Sequence, residues 1–244
     1  MHAGLIFTIL NWIFSFLKKF KRGNLLQAII ILCCLWFYAL MSGLSASVIR
    51  AAVMFSLMTI GKLVNRSNNP INTIFSSAFV LLVYDPNFLF DPGFQLSYAA
   101  VLGIGFCYSK IRVLYGKKPK LIVSICDLIN VSICAQLLTF PISIFYFNQF
   151  PSYFLVTNLI VIPIYTIIIF LLIALPPLNF VPFLSLMLGK IIDLLIYYND
   201  IFMHFMDSLP YAVINNLVMD YIELCLLYAF NLLIIYGIYF KSKT

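Results

Sequence analysis

Nine apolar stretches follow one another along this chain, at roughly residues 3–17, 25–41, 46–64, 71–84, 94–109, 121–147, 153–175, 184–209 and 221–240. A helix crossing a bilayer at right angles needs about 20 predominantly apolar residues. Most stretches come near that length. The first, fourth and fifth fall short and are expected to be half-helices, re-entrant pieces or truncated spans. Lipid offers no water to backbone N–H and C=O groups, so such segments must satisfy them internally as helices. The charged fraction agrees, at 9% against roughly a quarter in soluble domains. The predicted fold is all-α, a polytopic transmembrane helical bundle of about nine hydrophobic segments including short or re-entrant ones, forming one membrane domain over residues 1–244. No segment is polar enough for a separate soluble domain, and membrane lipid is the first partner expected. The six cysteines lie in or beside apolar runs without Cys-x-x-Cys spacing, and read as small packing residues.

Charge orients the segments. Basic residues cluster at Lys18, Lys19, Lys21 and Arg22, at Lys62 and Arg66, at Lys110, Arg112, Lys117, Lys118 and Lys120, at Lys190, and at Lys241 and Lys243. If all nine stretches cross, these 14 of the 15 basic residues fall on one side, which the positive-inside rule makes cytoplasmic. The N-terminus is then outside and the C-terminus inside. A net charge of +7 distributed this way requires no nucleic-acid partner to explain it. The exception is Arg50, near the outer end of the third stretch. A cation there must snorkel, face water or pair with an acid, and Asp85 and Asp91 are the candidates.

Three polar features interrupt the apolar background. The first is Tyr84-Asp-Pro-Asn-Phe-Leu-Phe-Asp-Pro-Gly93, followed by Gln95 and Ser97. Proline bars the preceding residue from helical geometry and Gly93 permits positive φ, so tight turns are expected at Asp85-Pro86 and Asp91-Pro92, with both carboxylates able to cap the helices that follow. The loop reads either as a capped connection or as a hairpin at a pore mouth, with Gln95 and Ser97 facing water. The second is the face Lys190, Asp193, Tyr197, Asp200, His204 and Asp207, whose spacings of 3 and 4 place it on one side of a helix lying in the interface or lining a wet cavity. It is more acidic than basic, which disfavours a DNA-tracking role. One histidine and two aspartates on one helix do not make a metal site, and no metal or cofactor is predicted. The third pairs Gln136 and Pro141 with Asn158 and Pro163, giving two successive proline-kinked helices with amides inside. Phosphate-loop, zinc-protease and nucleophile-elbow motifs are absent and only two histidines exist, so the chain does not read as an enzyme.

Taken in order, Ser45-Ala-Ser-Val-Ile-Arg-Ala-Ala-Val-Met54, Asp85-Pro86, Asp91-Pro-Gly-Phe-Gln-Leu-Ser97, Gln136-Leu-Leu-Thr-Phe-Pro141, Phe147-Asn-Gln-Phe-Pro151, Asn158 with Pro163, and Ser208-Leu-Pro210 resemble the ComEC/Rec2 family of bacterial competence membrane proteins. The resemblance covers almost the whole chain. It implies passage of single-stranded DNA across the bacterial cytoplasmic (inner) membrane during natural transformation. It also implies an outer competence DNA receptor and a cytoplasmic helicase-like ATPase as partners, and it is compatible with a homo-oligomer. Under it, Arg50, Asp91, Gly93, Gln95, Ser97, Gln136 and Asn158 line the substrate path. Asp85, Pro86, Pro92, Pro141 and Pro163 shape its turns and kinks. Met1-His2-Ala3-Gly4 looks like the tail of the family's Ser-Gly-Leu-His-x-Gly motif, so the domain is expected to be truncated at its start. The OB-like and metallo-β-lactamase-like domains of other members have no counterpart in residues 1–244.

Two other readings stand beside this one. Broken helices and an Asp–His stripe also suit a secondary transporter of a small solute, although no inverted repeat is visible. A non-functional truncated remnant is the third.

Overall fold

The computed structural model describes residues 2–20, 23–64, 69–113, 115–116, 119–178 and 180–241. Of the basic clusters, Lys21, Arg22, Arg66, Lys117, Lys118 and Lys243 lie outside the described residues, as does Met1. The chain is all-α. Its helices are α1 (His2–Ile13), α2 (Gly23–Met41), α3 (Ala46–Leu63), α4 (Pro70–Tyr84), α5 (Pro92–Arg112), α6 (Lys120–Phe147), α7 (Phe154–Leu178), α8 (Pro182–Ser208) and α9 (Tyr221–Lys241). Short 3-10 turns at Phe14–Lys19 and Pro86–Phe90 join them, and two-residue strands β1 (Phe150–Pro151) and β2 (Val213–Ile214) pair antiparallel.

Each apolar stretch read from the sequence holds one α-helix, the first running on from Ile13 into the 3-10 turn. Among the described residues four helices, α2, α3, α6 and α7, are long and apolar enough to cross a membrane. The exception to the expected lengths is the fifth stretch: α5 runs 21 residues and is not a short piece, because Pro92 starts it and its polar last turn, Lys110 to Arg112, stays helical. The first and fourth remain short, at 12 and 15 residues. Pro141 and Pro163 each lie inside a continuous helix, α6 and α7. Neighbouring helices re-satisfy the carbonyls such prolines free, which keeps a membrane helix intact.

The chain forms two compact units, residues 1–105 and 106–244. In the first, α2 ends where Gly43 takes a φ of 69°, the left-handed geometry that glycine adopts without Cβ strain. Leu44 N–H then reaches back to Ala39 O at 2.9 Å. One apolar cluster gathers Val53 of α3, Ile74 and Leu81 of α4, and Phe94 and Tyr98 of α5, with Phe88 packed against it. A second joins Phe7, Ile31 and Leu35.

The second unit is built from α6, α7, α8 and α9 with the end of α5, and α6 and α7 are its helices long and apolar enough to cross a membrane. Asn148 ends α6 in the left-handed region, at φ 53°. The chain then makes the β1–β2 bridge, in which Phe150 pairs with Ile214 and Pro151 with Val213. Tyr153 Oη adds a hydrogen bond to Pro210 O at 3.0 Å. At the start of α9 the Glu223 carboxylate accepts from Asp220 N–H at 3.2 Å, one half of a capping box.

Candidate functional site

Polar side chains are expensive in a membrane bundle, so where they converge is where chemistry is placed. In the first unit they converge on Asp91. Its Oδ2 accepts from Phe94 N–H at 2.8 Å and its Oδ1 from Gly93 N–H at 3.3 Å, which caps α5. Arg50 Nη1 lies 3.5 Å from Asp91 Oδ2, with the Arg50 side chain only 10% exposed and that of Asp91 40%. Of the two acids proposed from sequence as partners of Arg50, the structure selects Asp91. Asp85 caps the preceding 3-10 turn instead, accepting from Asn87 N–H at 3.0 Å.

Gly93 does not use its conformational freedom. It sits in the first turn of α5 with ordinary helical backbone, and a Cβ there would lie 3.2 Å from Asp91 Oδ2 and 3.7 Å from Arg50 Nη2. Its missing side chain makes room for the ion pair. Gln95 Nε2 donates to Leu89 O at 2.8 Å and ties the 3-10 turn to α5. Ser97 is half-buried on the same helix. Phe88 packs inward, whereas Leu89 and Phe90 are exposed. Arg50 Nε is buried with no acceptor among the described residues.

In the second unit, a cleft of about 430 Å³ opens between α7, α8 and the β1–β2 bridge. Thr157 and Asn158 of α7 face His204 and Asp207 of α8 across it, with Tyr153 and Pro151 at its rim. Three residues singled out in the sequence on two different segments thus share one wall-to-wall site. Asn158 Nδ2 also reaches buried Ser132 Oγ of α6 at 3.5 Å, the long limit of a hydrogen bond. Lys190 and Asp193 belong elsewhere: they line a separate cleft of about 550 Å³ with Leu175 and Pro176. Asp200 is exposed on α8. Gln136 lines a smaller cavity of about 180 Å³ with Phe140, Phe150, Phe154 and Asn231. Asn231 is 5% exposed, and its Nδ2 is buried without an acceptor among the described residues.

Sequence reasoning passed over Asn231, and over a second cluster centred on Asp127 of α6. Asp127 Oδ1 accepts from Tyr108 Oη at 3.0 Å and Tyr115 Oη at 2.8 Å, with Arg112 Nε 3.6 Å away. Asn130, one turn on, donates to Tyr108 O at 3.1 Å and to Tyr115 Oη at 2.9 Å, and its Oδ1 accepts from the Cys134 thiol at 3.1 Å. Tyr115 lies in the link between α5 and α6. Burial, then the Asp127 carboxylate, pushes its phenol up to about 12. The signal that finds this cluster is a lone acid inside a long apolar run, Leu121-Ile-Val-Ser-Ile-Cys-Asp127, following a Tyr-x-x-x-Arg pair at 108 and 112.

A family model described as Competence protein matches residues 1–243. ComE operon protein 3 of Bacillus subtilis (strain 168) is 32% identical over 139 residues, which make up 57% of this chain and 17% of that protein. The matched stretch therefore spans less than a fifth of that relative's length. No solved structure matches the chain.

Proposed function

The chain belongs to the competence protein family, and we propose that it contributes the aqueous path by which single-stranded DNA crosses the bacterial cytoplasmic membrane during natural transformation. The observation that carries this reading is the family match over residues 1–243. The geometry supports it in one respect. A polyanion in transit needs hydrogen-bond donors that hold it loosely, and neutral amides do this without fixing a counter-charge. Gln136 and Asn231 share a cavity, and Asn158 lines the neighbouring cleft of the same unit. The charge of Arg50 is committed to Asp91 in the first unit, so the path reading rests on the amides of the second.

The acids on α8 repel phosphate, and since Asp207 shares the cleft of Asn158, Gln136 and Asn231 carry the path reading further than Asn158 does. The chain acts without enzymatic chemistry, and the energy for transport comes from a helicase-like ATPase in the cytoplasm, with an external DNA receptor feeding the outer face. The N-terminus lies outside and the C-terminus in the cytoplasm, as the basic clusters direct.

The test follows labelled external DNA into a nuclease-protected cytoplasmic pool in a strain deleted for the native locus. The channel reading expects surface binding to persist and the protected pool to vanish. A protected pool of unchanged size would defeat it. One observation favours a second reading: a cleft of about 430 Å³ holding His204 and Asp207 has the size of a small-solute site. Ion-coupled uptake of a small solute takes over if the deletion leaves DNA entry intact.

A further inference from the structure

In the first unit, α1, α2 and α3 border a half-open cavity of about 470 Å³ that the transport reading does not use. Asn11, Asn24, Gln27, Thr59 and Lys62 line it, with Phe7 among its apolar walls. Asn24 is the second residue of α2 and Lys62 the second-last of α3, two helices of 19 and 18 residues that each match a bilayer's width. The cavity therefore sits at a membrane boundary, the depth of lipid headgroups.

Its donors are partly unspent. Gln27, 5% exposed, gives one Nε2 hydrogen to Asn11 O at 3.3 Å, and Asn11 gives one Nδ2 hydrogen to Phe7 O at 2.9 Å. Each amide nitrogen carries a second hydrogen. Thr59 donates its hydroxyl hydrogen to Phe55 O at 2.7 Å, which leaves its oxygen free to accept. Lys62 Nζ is held 5.9 Å from the centre of the Phe7 ring, a cation–π contact that keeps the ammonium at the cavity. No aspartate or glutamate precedes Asp85, so no carboxylate in the first 84 residues neutralises it.

One cation, several amide donors and a hydroxyl acceptor suit a singly charged phosphate that carries a neighbouring hydroxyl. We propose that this cavity binds the headgroup of an anionic phospholipid of the phosphatidylglycerol class, with the phosphate on Lys62 and the amides of Asn11, Asn24 and Gln27. Basic pockets between membrane helices bind anionic lipid headgroups. The site is independent of whether the chain conducts DNA.

The experiment is native mass spectrometry of the full chain in detergent, supplied with phosphatidylglycerol or phosphatidylcholine. Phosphatidylglycerol is expected to be retained in preference. Lys62→Gln should weaken that retention about fivefold, with Lys62→Arg and the exposed control Lys120→Gln close to the unsubstituted chain. Equal retention of the two lipids, unchanged retention in Lys62→Gln, or equal losses in Lys62→Gln and Lys62→Arg would each overturn the assignment. Two competitors distinguish the source of the phosphate. Displacement of the lipid by millimolar inorganic phosphate would assign the cavity to a soluble anion, and displacement by a short oligodeoxynucleotide would assign it to DNA. Either result removes the lipid from the site.

Discussion

At the scale of single residues, Arg50 and Asp91 show how a membrane protein keeps a charge it could discard. A guanidinium that is 10% exposed cannot remain without a counter-charge, and Asp91 answers it at 3.5 Å while also capping α5. Asp91→Ala removes both functions and strands a buried cation, a loss of about 2 kcal/mol in thermal unfolding in detergent. Arg50→Met leaves a part-exposed carboxylate still capping its helix, so it should cost less. The double variant should unfold well above the temperature that adding the two losses would give; strict additivity would show the pair to be uncoupled. Gly93→Ala is the second test. An ordinary helical position gains about 1 kcal/mol from this change. Here the new Cβ meets Asp91 Oδ2 at 3.2 Å, against a carboxylate held by two N–H groups and Arg50. The sign should reverse, to a net loss of about 1 kcal/mol, and a raised melting temperature would refute the crowding argument.

At the scale of elements, the polar cluster on Asp127 fastens the end of α5 and the link after it to α6. Helices in lipid gain nothing from hiding apolar surface from each other, so interhelical hydrogen bonds of about 0.6 kcal/mol each become their fasteners. Four hydrogen bonds from α5 and the link meet at Asp127 and Asn130. Asp127→Ala should speed amide exchange at residues 113, 115 and 116 and at the end of α5, while residues 154–178 exchange as before; uniform acceleration throughout would indicate general unfolding instead. The phenol of Tyr115 gives the cluster a pH signature. Its folded value of about 12 lies above the ordinary 10, so its contribution is complete below pH 10 and is lost as pH climbs through about 12. Tyr115→Phe should flatten the stability profile across that window, and an unaltered profile would count against the link. These contacts illustrate what could be read beforehand. The helices were legible because each apolar run is bounded by proline, glycine or charge. The Arg50–Asp91 pair was legible because a lone cation among apolar residues has few possible partners. Asp127 and Asn231 escaped because a single polar residue inside a long apolar run leaves the periodicity unchanged. The β1–β2 bridge escaped for another reason: two residues pairing across some sixty positions have no sequence period at all.

At the scale of the whole molecule, the arrangement of charge makes a claim about topology that helix lengths cannot make. Among the described residues each of nine helices corresponds to an apolar stretch, and the fifth is 21 residues long. By length α5 is therefore no short piece, while α4 at 15 residues remains short for a perpendicular crossing. If α4 nevertheless crosses, as one span of the nine, Lys62 and Lys120 lie on the same side of the membrane, because α4 and α5 form a pair of crossings between them. A cytoplasmic reporter fused after Lys120 should then be active, one fused after Thr244 should be active, and an external reporter should respond after Asn148. Two outcomes matter differently. A cytoplasmic signal at Asn148 would show that α6 does not cross, and the nine-span arrangement would fail outright. If instead Asn148 reads external but a tag placed at Asn87, in the turn between α4 and α5, reads cytoplasmic, then α4 and α5 both fail to cross and the parity at Lys120 is kept by seven spans. The Asn87 tag therefore separates two arrangements that the positive-inside rule alone leaves degenerate, and external labelling at Asn87 is the result the nine-span arrangement requires.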